Sequence, residues 1–245
     1  TGTQPRRVLI RGLGESMAAR DPNIEDVLAD PILTLHNWKG EVILSQDNWS
    51  EDPDWETIDS VGLSVGAATP ADPDEAAILT TLEPGLYTVV LSGIDGGTGL
   101  GLIEVFDASS ESIETRLANI STRVHASTGQ EVAIAGFVIT GQDPKRVLIR
   151  ALGPELLKRD VSGVLLDPQM SLYRGQDMIA TNDDWEDENG FLITESSKKV
   201  NTSILDEGSK DAAMVRELEP GLYTVIVSDV NNDAGIVLLE VHELP

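Results

Sequence analysis

Residues 82–89 read LEPGLYTV, and residues 218–225 repeat the same letters without a change. Pro84 and Gly85 form a turn pair, because proline fixes φ at the first corner and glycine accepts a positive φ at the second. The residues after the turn are tyrosine, threonine and valine, which are enriched in β-strands. Each copy therefore predicts a turn followed by a strand, and the identity of the copies predicts that one structural unit occurs twice.

The repetition extends outward from this stretch in both directions. Further matching pairs are RRVLIRGL (6–13) with KRVLIRAL (145–152), DPILTL (30–35) with DPQMSL (167–172), and LGLIEVFD (100–107) with IVLLEVHE (236–243). The offset between the copies falls only from 139 to 136 residues. A period this long indicates a duplicated domain, because solenoid repeats are much shorter. We predict a first domain at residues 1–110 and a second at residues 111–245.

Within each repeat, the apolar residues form short runs or alternate with polar ones, and Gly, Pro, Asn and Asp separate the runs. This pattern is typical of antiparallel strands in a sandwich. Helix signals are confined to GESMAARD (14–21) and GPELLKRD (153–160), each long enough for one or two turns. The predicted fold is all-β, with two tandem antiparallel, jelly-roll-like β-sandwich domains.

The order of motifs in the second repeat resembles a known bacterial module. DPQMSLY (167–173), IATNDDW (179–185), LEPGLYTVIV (218–227) and LLEV (238–241) follow one another as in the pre-peptidase C-terminal-type β-sandwich of secreted and cell-surface proteins. The resemblance implies an extracellular or cell-surface location, a role in secretion, adhesion or substrate proximity, and no catalytic residues. The first repeat departs from this pattern at SQDNW (45–49) and at His36, which stands where the second repeat has Tyr173.

Charge and composition exclude several classes of function. The chain has 42 acidic and 17 basic residues and a formal net charge of −25. Nucleic acid is an unfavourable partner, because phosphate binding needs clustered Lys and Arg. The chain has no cysteine, which excludes thiol catalysis and cysteine-ligated metals. No apolar stretch is long enough to span a bilayer, so we also predict no membrane insertion.

The two repeats differ in one respect that bears on function. Residues 116–139 of the second repeat predict two strands, RLANISTRV and EVAIAGFVI, and the first repeat has no counterpart. We expect the second of these strands to form a hairpin with KRVLIRAL, so that RRVLIRGL in the first repeat lacks this neighbour. The predicted contact edge therefore comprises Val8, Leu9, Ile10, Val132, Ile134, Phe137 and Ile139.

An uncovered apolar strand edge is a liability that proteins pair or cover. Three interpretations remain open at this point. The chain is a piece of a longer protein whose preceding repeat supplies the strands, or a neighbouring subunit supplies them, or the first repeat closes in a different way. The second interpretation predicts an extracellular structural subunit that assembles with other copies of itself by strand complementation, into a filament or surface layer. The alternative function is an accessory module of a larger secreted protein, with polysaccharide or another surface as its partner.

Acidic residues cluster at the same place in both repeats, after a strand and before a long connection. Calcium prefers oxygen ligands, so these loops are candidate calcium sites, and the competing interpretation is a solvated loop whose side chains cap turns. The candidate ligands are Asp47, Asp52, Asp54, Asp183, Asp184 and Asp187. The sequence indicates no other cofactor.

Charged residues also recur inside apolar strands. Arg11 and Arg150 are equivalent, as are Glu104 and Glu240. An arginine and a carboxylate on neighbouring strands would satisfy each other, so we predict two structural ion pairs. No spacing singles out a catalytic pair of carboxylates, a serine elbow or a zinc site. We therefore predict a protein without enzymatic activity.

Overall fold

The computed structural model describes residues 2–109, 118–129 and 131–245. The chain divides into two compact units, Thr1–Leu117 (unit 1) and Ala118–Pro245 (unit 2). The predicted domain boundary, between residues 110 and 111, lies outside the described residues, and so do residues 116 and 117 at the start of the predicted extra strands. Among the described residues, no helix has the length and apolar character needed to cross a membrane.

Unit 1 contains two three-stranded antiparallel sheets, with the strand orders β4-β1-β6 and β3-β2-β5. The strands are β1 (Arg6–Leu13), β2 (Pro31–Asn37), β3 (Val42–Gln46), β4 (Ala76–Leu82), β5 (Tyr87–Gly93) and β6 (Leu102–Asp107). Inward-facing residues of both sheets, including Val8, Ile10, Leu33 and Leu35, form a core between them. Burial alternates along β2 and β5, as the sequence pattern predicts, whereas the central strand β1 is buried on both faces from Val8 to Leu13.

Unit 2 contains two four-stranded antiparallel sheets, with the orders β12-β9-β14-β7 and β11-β10-β13-β8. Its strands are β7 (Asn119–Ala126), β8 (Ala133–Ile139), β9 (Lys145–Leu152), β10 (Pro168–Arg174), β11 (Asp177–Asn182), β12 (Ala212–Leu218), β13 (Gly221–Asp229) and β14 (Gly235–Glu243). The strands β9 to β14 correspond in order and pairing to β1 to β6 of unit 1. The all-β sandwich prediction and the duplication are therefore both seen in the fold.

The described part of each unit also has two α-helices. The helices α1 (Glu15–Arg20) and α3 (Pro154–Leu157) lie at the predicted short helical turns, while α2 (Trp55–Ser64) and α4 (Gly190–Lys199) lie in the long connections, where no helix was predicted. The longer helices cover the outer face of one sheet in each unit, with Ile58 of α2 and Ile193 of α4 packed in the outer clusters. Trp49 and Trp185 lie in the same clusters, and each is 7% exposed.

The predicted hairpin between β8 and β9 is wrong. β8 pairs with β13, whereas β9 pairs with β12 and β14 in the opposite sheet. The chain therefore crosses from one sheet to the other between β8 and β9, as sandwiches do when consecutive strands lie in different layers. The two extra strands of unit 2 consequently lie one on each sheet: β7 next to β14, and β8 next to β13.

Candidate functional site

The difference between the units lies along one side of the sandwich. In unit 2, β14 pairs with β9 and β7, and β13 pairs with β10 and β8. In the described part of unit 1, their counterparts each have one partner, since β6 pairs with β1 and β5 pairs with β2. We call the free edges of β5 and β6 the open side, and we call β7 and β8 together the closing ribbon.

The free edges of β5 and β6 face each other across the core of unit 1. A Cβ atom placed on Gly101, just before β6, would lie 2.6 Å from Leu91 Cδ2 of β5. A Cβ atom on Gly12 of β1 would likewise lie 2.6 Å from Leu91 Cδ1. In unit 2, Val237 and Ala151 replace Gly101 and Gly12, and Val227, which is smaller than leucine, replaces Leu91. Leu91 of β5 therefore fills in unit 1 the core space that larger residues of the opposite sheet fill in unit 2.

Equivalent residues differ in exposure between the units. Val105 of β6 is 44% exposed, whereas its counterpart Val241 of β14 is 7% exposed and lies opposite Ile120 of β7. Tyr87, Val89 and Leu91 of β5 are partly buried, and their counterparts in β13 are almost completely buried. The open side thus exposes apolar core residues that the closing ribbon covers in unit 2.

The closing ribbon shows which chemistry fits this position. Ala133, Ala135 and Ile139 of β8 are buried in the core of unit 2. The ring of Phe137 stacks on Tyr223 of β13, with ring centroids 5.5 Å apart and an interplanar angle of 18°. Small apolar residues with one aromatic anchor therefore complete the sandwich, and Tyr87 is the corresponding anchor position in unit 1.

The predicted contact-edge residues do not all lie at a sheet edge. Val8, Leu9 and Ile10 lie in β1, the central strand of its sheet, and are buried, so they do not form an edge. Both neighbours of β1 come from distant parts of the chain, and this long-range pairing is what local sequence cannot indicate. In the second set, Val132 precedes β8, Ile134 is exposed, Phe137 is partly buried, and Ile139 is buried against the core.

Both predicted arginine–glutamate pairs are present. Arg11 and Glu104 are opposite each other on β1 and β6, and Arg11 Nε donates to Glu104 Oε2 at 2.9 Å. Arg150 Nε donates to Glu240 Oε2 at 2.9 Å, and Arg150 Nη2 donates to the same oxygen at 2.6 Å. The side chain of Glu104 is 22% exposed and that of Glu240 is 10% exposed. The pair in unit 2 is therefore the better shielded from water.

Glu240 is held ionised by its neighbours. Burial by itself raises the pKa of the Glu240 carboxyl, but His242 and Arg150 outweigh this effect and lower that pKa to about 2. His242 Nδ1 lies 3.2 Å from Asn119 Nδ2 of β7, which connects the closing ribbon to the same cluster. In unit 1, Phe106 replaces His242, and its ring lies 5.6 Å from the Arg11 guanidinium carbon.

Two buried carboxylates were not predicted. Glu75 accepts hydrogen bonds from the backbone N–H groups of Gly14 and Ser16 at 2.9 and 2.7 Å. Asp211, at the equivalent position, accepts from Gly153 N at 2.8 Å and from Glu155 N. Burial raises the pKa of Asp211, although the donors at Ser209, Glu155 and Gly153 oppose the rise. The repeated acid before an apolar strand, in DEAAIL and KDAAMV, was the signal that could have identified them.

The acidic loops hold their side chains in local turn contacts. Asp52 Oδ1 accepts from Asp54 N at 2.8 Å, and Asp47 Oδ1 accepts from Asn48 N at 2.9 Å. In unit 2, Asp183 Oδ1 accepts from Asp184 N, and Asp184 Oδ2 lies 2.6 Å from Lys210 Nζ.

Asp183 and Asp187 line a shallow cleft of about 330 Å³ together with Asn182 and Glu188. Within the described ranges, no group of three or more His, Asp or Glu residues has an arrangement that could hold a metal ion. Calcium binding by these loops therefore stays a prediction.

Comparisons with known proteins identify no family for this chain. No family model matches the chain, and no curated protein matches it. Among solved structures, the pre-peptidase C-terminal domain of a collagenase from Bacillus anthracis is 13% identical, with a TM-score of 0.32, and the match covers 51% of this chain and 89% of that chain. The VP2 subviral particle of infectious bursal disease virus is also 13% identical, with a TM-score of 0.18, over 98% of this chain and 56% of that one.

Proposed function

We propose that this protein is an extracellular structural subunit that assembles with other copies of itself by strand addition at the open side of unit 1. The observation that supports the proposal is the difference between equivalent edges: Val105 is 44% exposed where Val241 is 7% exposed. Unit 2 provides an internal reference for how this side looks when further strands lie along it.

The open side combines two unfavourable features that strand addition would remove together. The free edges of β5 and β6 present backbone N–H and C=O groups that can pair with an incoming strand. Apolar side chains on the same side remain partly exposed, and burial of apolar surface is favourable by about 25 cal/mol per Å². An added strand would gain both contributions, as β7 and β8 do in unit 2.

The edge strand β5 also lacks the usual protection against pairing. Soluble proteins commonly place lysine, proline or a bulge on an exposed edge strand to prevent association. β5 carries no charged residue and no proline, and its outward-facing Val90 is 43% exposed. The chain has 42 acidic residues, yet β5 has no charge that would repel an incoming strand. This absence of charge at an open edge favours a role in assembly.

The experiment is sedimentation velocity over a concentration series up to about 100 μM, where weak but specific contacts are populated. We expect the unaltered chain to form a series of larger species as concentration rises. The double variant V90K/V105K should remain monomeric, because it places two charges on the open side. The matched control is V42K on β3, at the opposite edge of the same unit, where Val42 is 60% exposed.

A chain that stays monomeric throughout the series would overturn the proposal. Loss of association in V42K to the same degree as in V90K/V105K would also contradict it, because charge at any edge would then have the same effect. Electron micrographs of the associated species would show whether they are filaments.

A further inference from the structure

We infer that the surface occupying the open side is the free outer edge of the closing ribbon on a second copy, added without removing that ribbon from its own unit. The inference rests on the proposed function and specifies its partner surface. β8 of one copy would lie beside β5 of the next, and β7 beside β6. A three-stranded sheet of unit 1 would thus continue into a four-stranded sheet of unit 2 on both layers.

The number of ribbons disfavours a simple exchange. The sequence contains one closing ribbon and two units that could receive it. If a ribbon left its own unit to fill unit 1 of another copy, it would leave an equally open side behind. Exchange therefore moves the unpaired edges without reducing their number, whereas edge-to-edge addition pairs the edges of both partners.

The ribbon is also better matched to its own unit than to unit 1. Asn119 of β7 contacts His242 Nδ1 at 3.2 Å, and the equivalent of His242 in unit 1 is Phe106, which has no ring nitrogen. Glu240, which lies opposite Ser121 of β7, is largely shielded from water. Removing the ribbon would break the contact between Asn119 and His242 and would expose Glu240 to water. Both changes are unfavourable, so the ribbon is more stable in its own unit.

The outer edge of the ribbon has the chemistry to meet the open side. β8 and β5 both lack charged residues, and Ile134 of β8 is 55% exposed. β7 carries Arg123 and no acid, whereas the two acids of β6, Glu104 and Asp107, already form ion pairs with Arg11 and Arg6 of β1. Pairing β8 with β5 therefore joins two uncharged strands, and pairing β7 with β6 brings no two acidic strands together.

This arrangement is heterologous, because the two surfaces that meet are different. Within residues 2–109, 118–129 and 131–245, each chain has one open side and one free ribbon edge. Contacts of this kind close into a ring when the rotation between copies permits it, and otherwise they continue into a filament.

The experiment is a disulfide lock that prevents ribbon exchange. Leu222 of β13 and Val138 of β8 are opposite each other in the sheet, both are exposed, and the chain has no other cysteine after L222C/V138C is made. Opposed residues in antiparallel strands are about 4.5–5.5 Å apart between Cα atoms, which suits a disulfide. We expect the oxidised variant to associate as strongly as the same variant in its reduced form.

A second pair of variants tests the ribbon edge itself. I134K places a charge on β8, and M178K places one on β11 at the opposite edge of unit 2, where Met178 is 58% exposed. We expect I134K to raise the concentration needed for association at least tenfold, and M178K to leave it within about twofold.

The outcomes separate this inference from the proposed function. If L222C/V138C associates when reduced but not when oxidised, ribbon exchange is responsible. That result would overturn the inference and leave the proposal of self-assembly intact. Association of I134K at the same concentration as the unaltered chain would also overturn it. A chain that does not associate at all would overturn the proposed function as well.

Discussion

Replacing Glu240 with Gln is expected to lower the free energy of unfolding of unit 2 by about 3–5 kcal/mol, the cost typical of breaking a buried ion pair. Arg150 is completely buried, and the carboxylate of Glu240 is the one negative charge among the contacts that its guanidinium makes in the described structure. Gln keeps the shape and can still accept a hydrogen bond, but it leaves the arginine charge uncompensated. Native-state hydrogen exchange, measured on peptides from β9 and β14, reports this loss directly.

Two further variants serve as controls for this prediction. E104Q makes the same change in unit 1, where the Glu104 side chain is more exposed, and it should cost less. The double variant R150M/E240L removes both charges, and it should recover most of the stability lost in E240Q. A loss below about 1 kcal/mol in E240Q would show that Arg150 does not depend on this carboxylate, and the prediction would then be wrong.

The second large effect is expected for Gly153→Ala, which should destabilise unit 2 by about 3 kcal/mol or more. A Cβ atom on Gly153 would lie 1.8 Å from the backbone oxygen of Leu165 and 2.9 Å from its carbonyl carbon. Backbone atoms cannot rotate away as a side chain can, so the end of β9 would have to move. That movement would also strain the 2.8 Å hydrogen bond from Gly153 N to Asp211.

Gly136→Ala is the matched control for this substitution. Gly136 lies within β8, and the nearest atom to an added Cβ is Tyr223 O at 3.8 Å, an ordinary contact. We expect its effect on stability to be within about 0.5 kcal/mol, measured as the shift in the urea unfolding midpoint at constant slope. Equal effects of the two substitutions would contradict the close approach of β9 to Leu165. Unit 1 has the same constraint, since a Cβ on Gly14 would lie 1.8 Å from Leu28 O.

The class of fold could be predicted from the sequence because the signals for strands and turns are local. Short apolar runs and the repeated LEPGLYTV predicted strands and duplication, and β5 and β13 lie where expected. The helix α4 was missed because Ile193 is its one buried apolar residue, which gives no clear helical period. In α2, Ile58 and Val61 both pack in the outer cluster, so a short helical period was present in the sequence and was missed.

Strand pairing could not be derived in the same way. β8 and β9 are close in sequence, which favours a hairpin, yet the sandwich places them in different sheets. The sequence therefore predicted an unpaired edge in the first repeat, but it placed that edge on Val8, Leu9 and Ile10 of the central strand. The free edges are instead β5 and β6, whose counterparts pair with the closing ribbon.

The ion pairs were accessible from sequence because a charge repeated in an apolar strand needs a partner. The capping carboxylates Glu75 and Asp211 were not found, because their donors are backbone N–H groups about 60 residues earlier in the chain. The repeated acid marks the two carboxylates themselves, but a backbone N–H group leaves no residue type in the sequence by which the donor can be recognised. This physical limit applies also to the close approach at Gly153.

The most direct test of strand addition is hydrogen exchange of β5 and β6 as a function of protein concentration. We predict that the amides of residues 87–93 and 102–107 that point to the free edge exchange rapidly in dilute solution and become protected as the chain associates, whereas the amides bonded to β2 and β1 are already protected. The equivalent residues 223–229 and 238–243 in unit 2 should be protected at every concentration, since the closing ribbon already covers them. Rapid exchange of β5 and β6 that stays unchanged while larger species form would contradict strand addition at the open side.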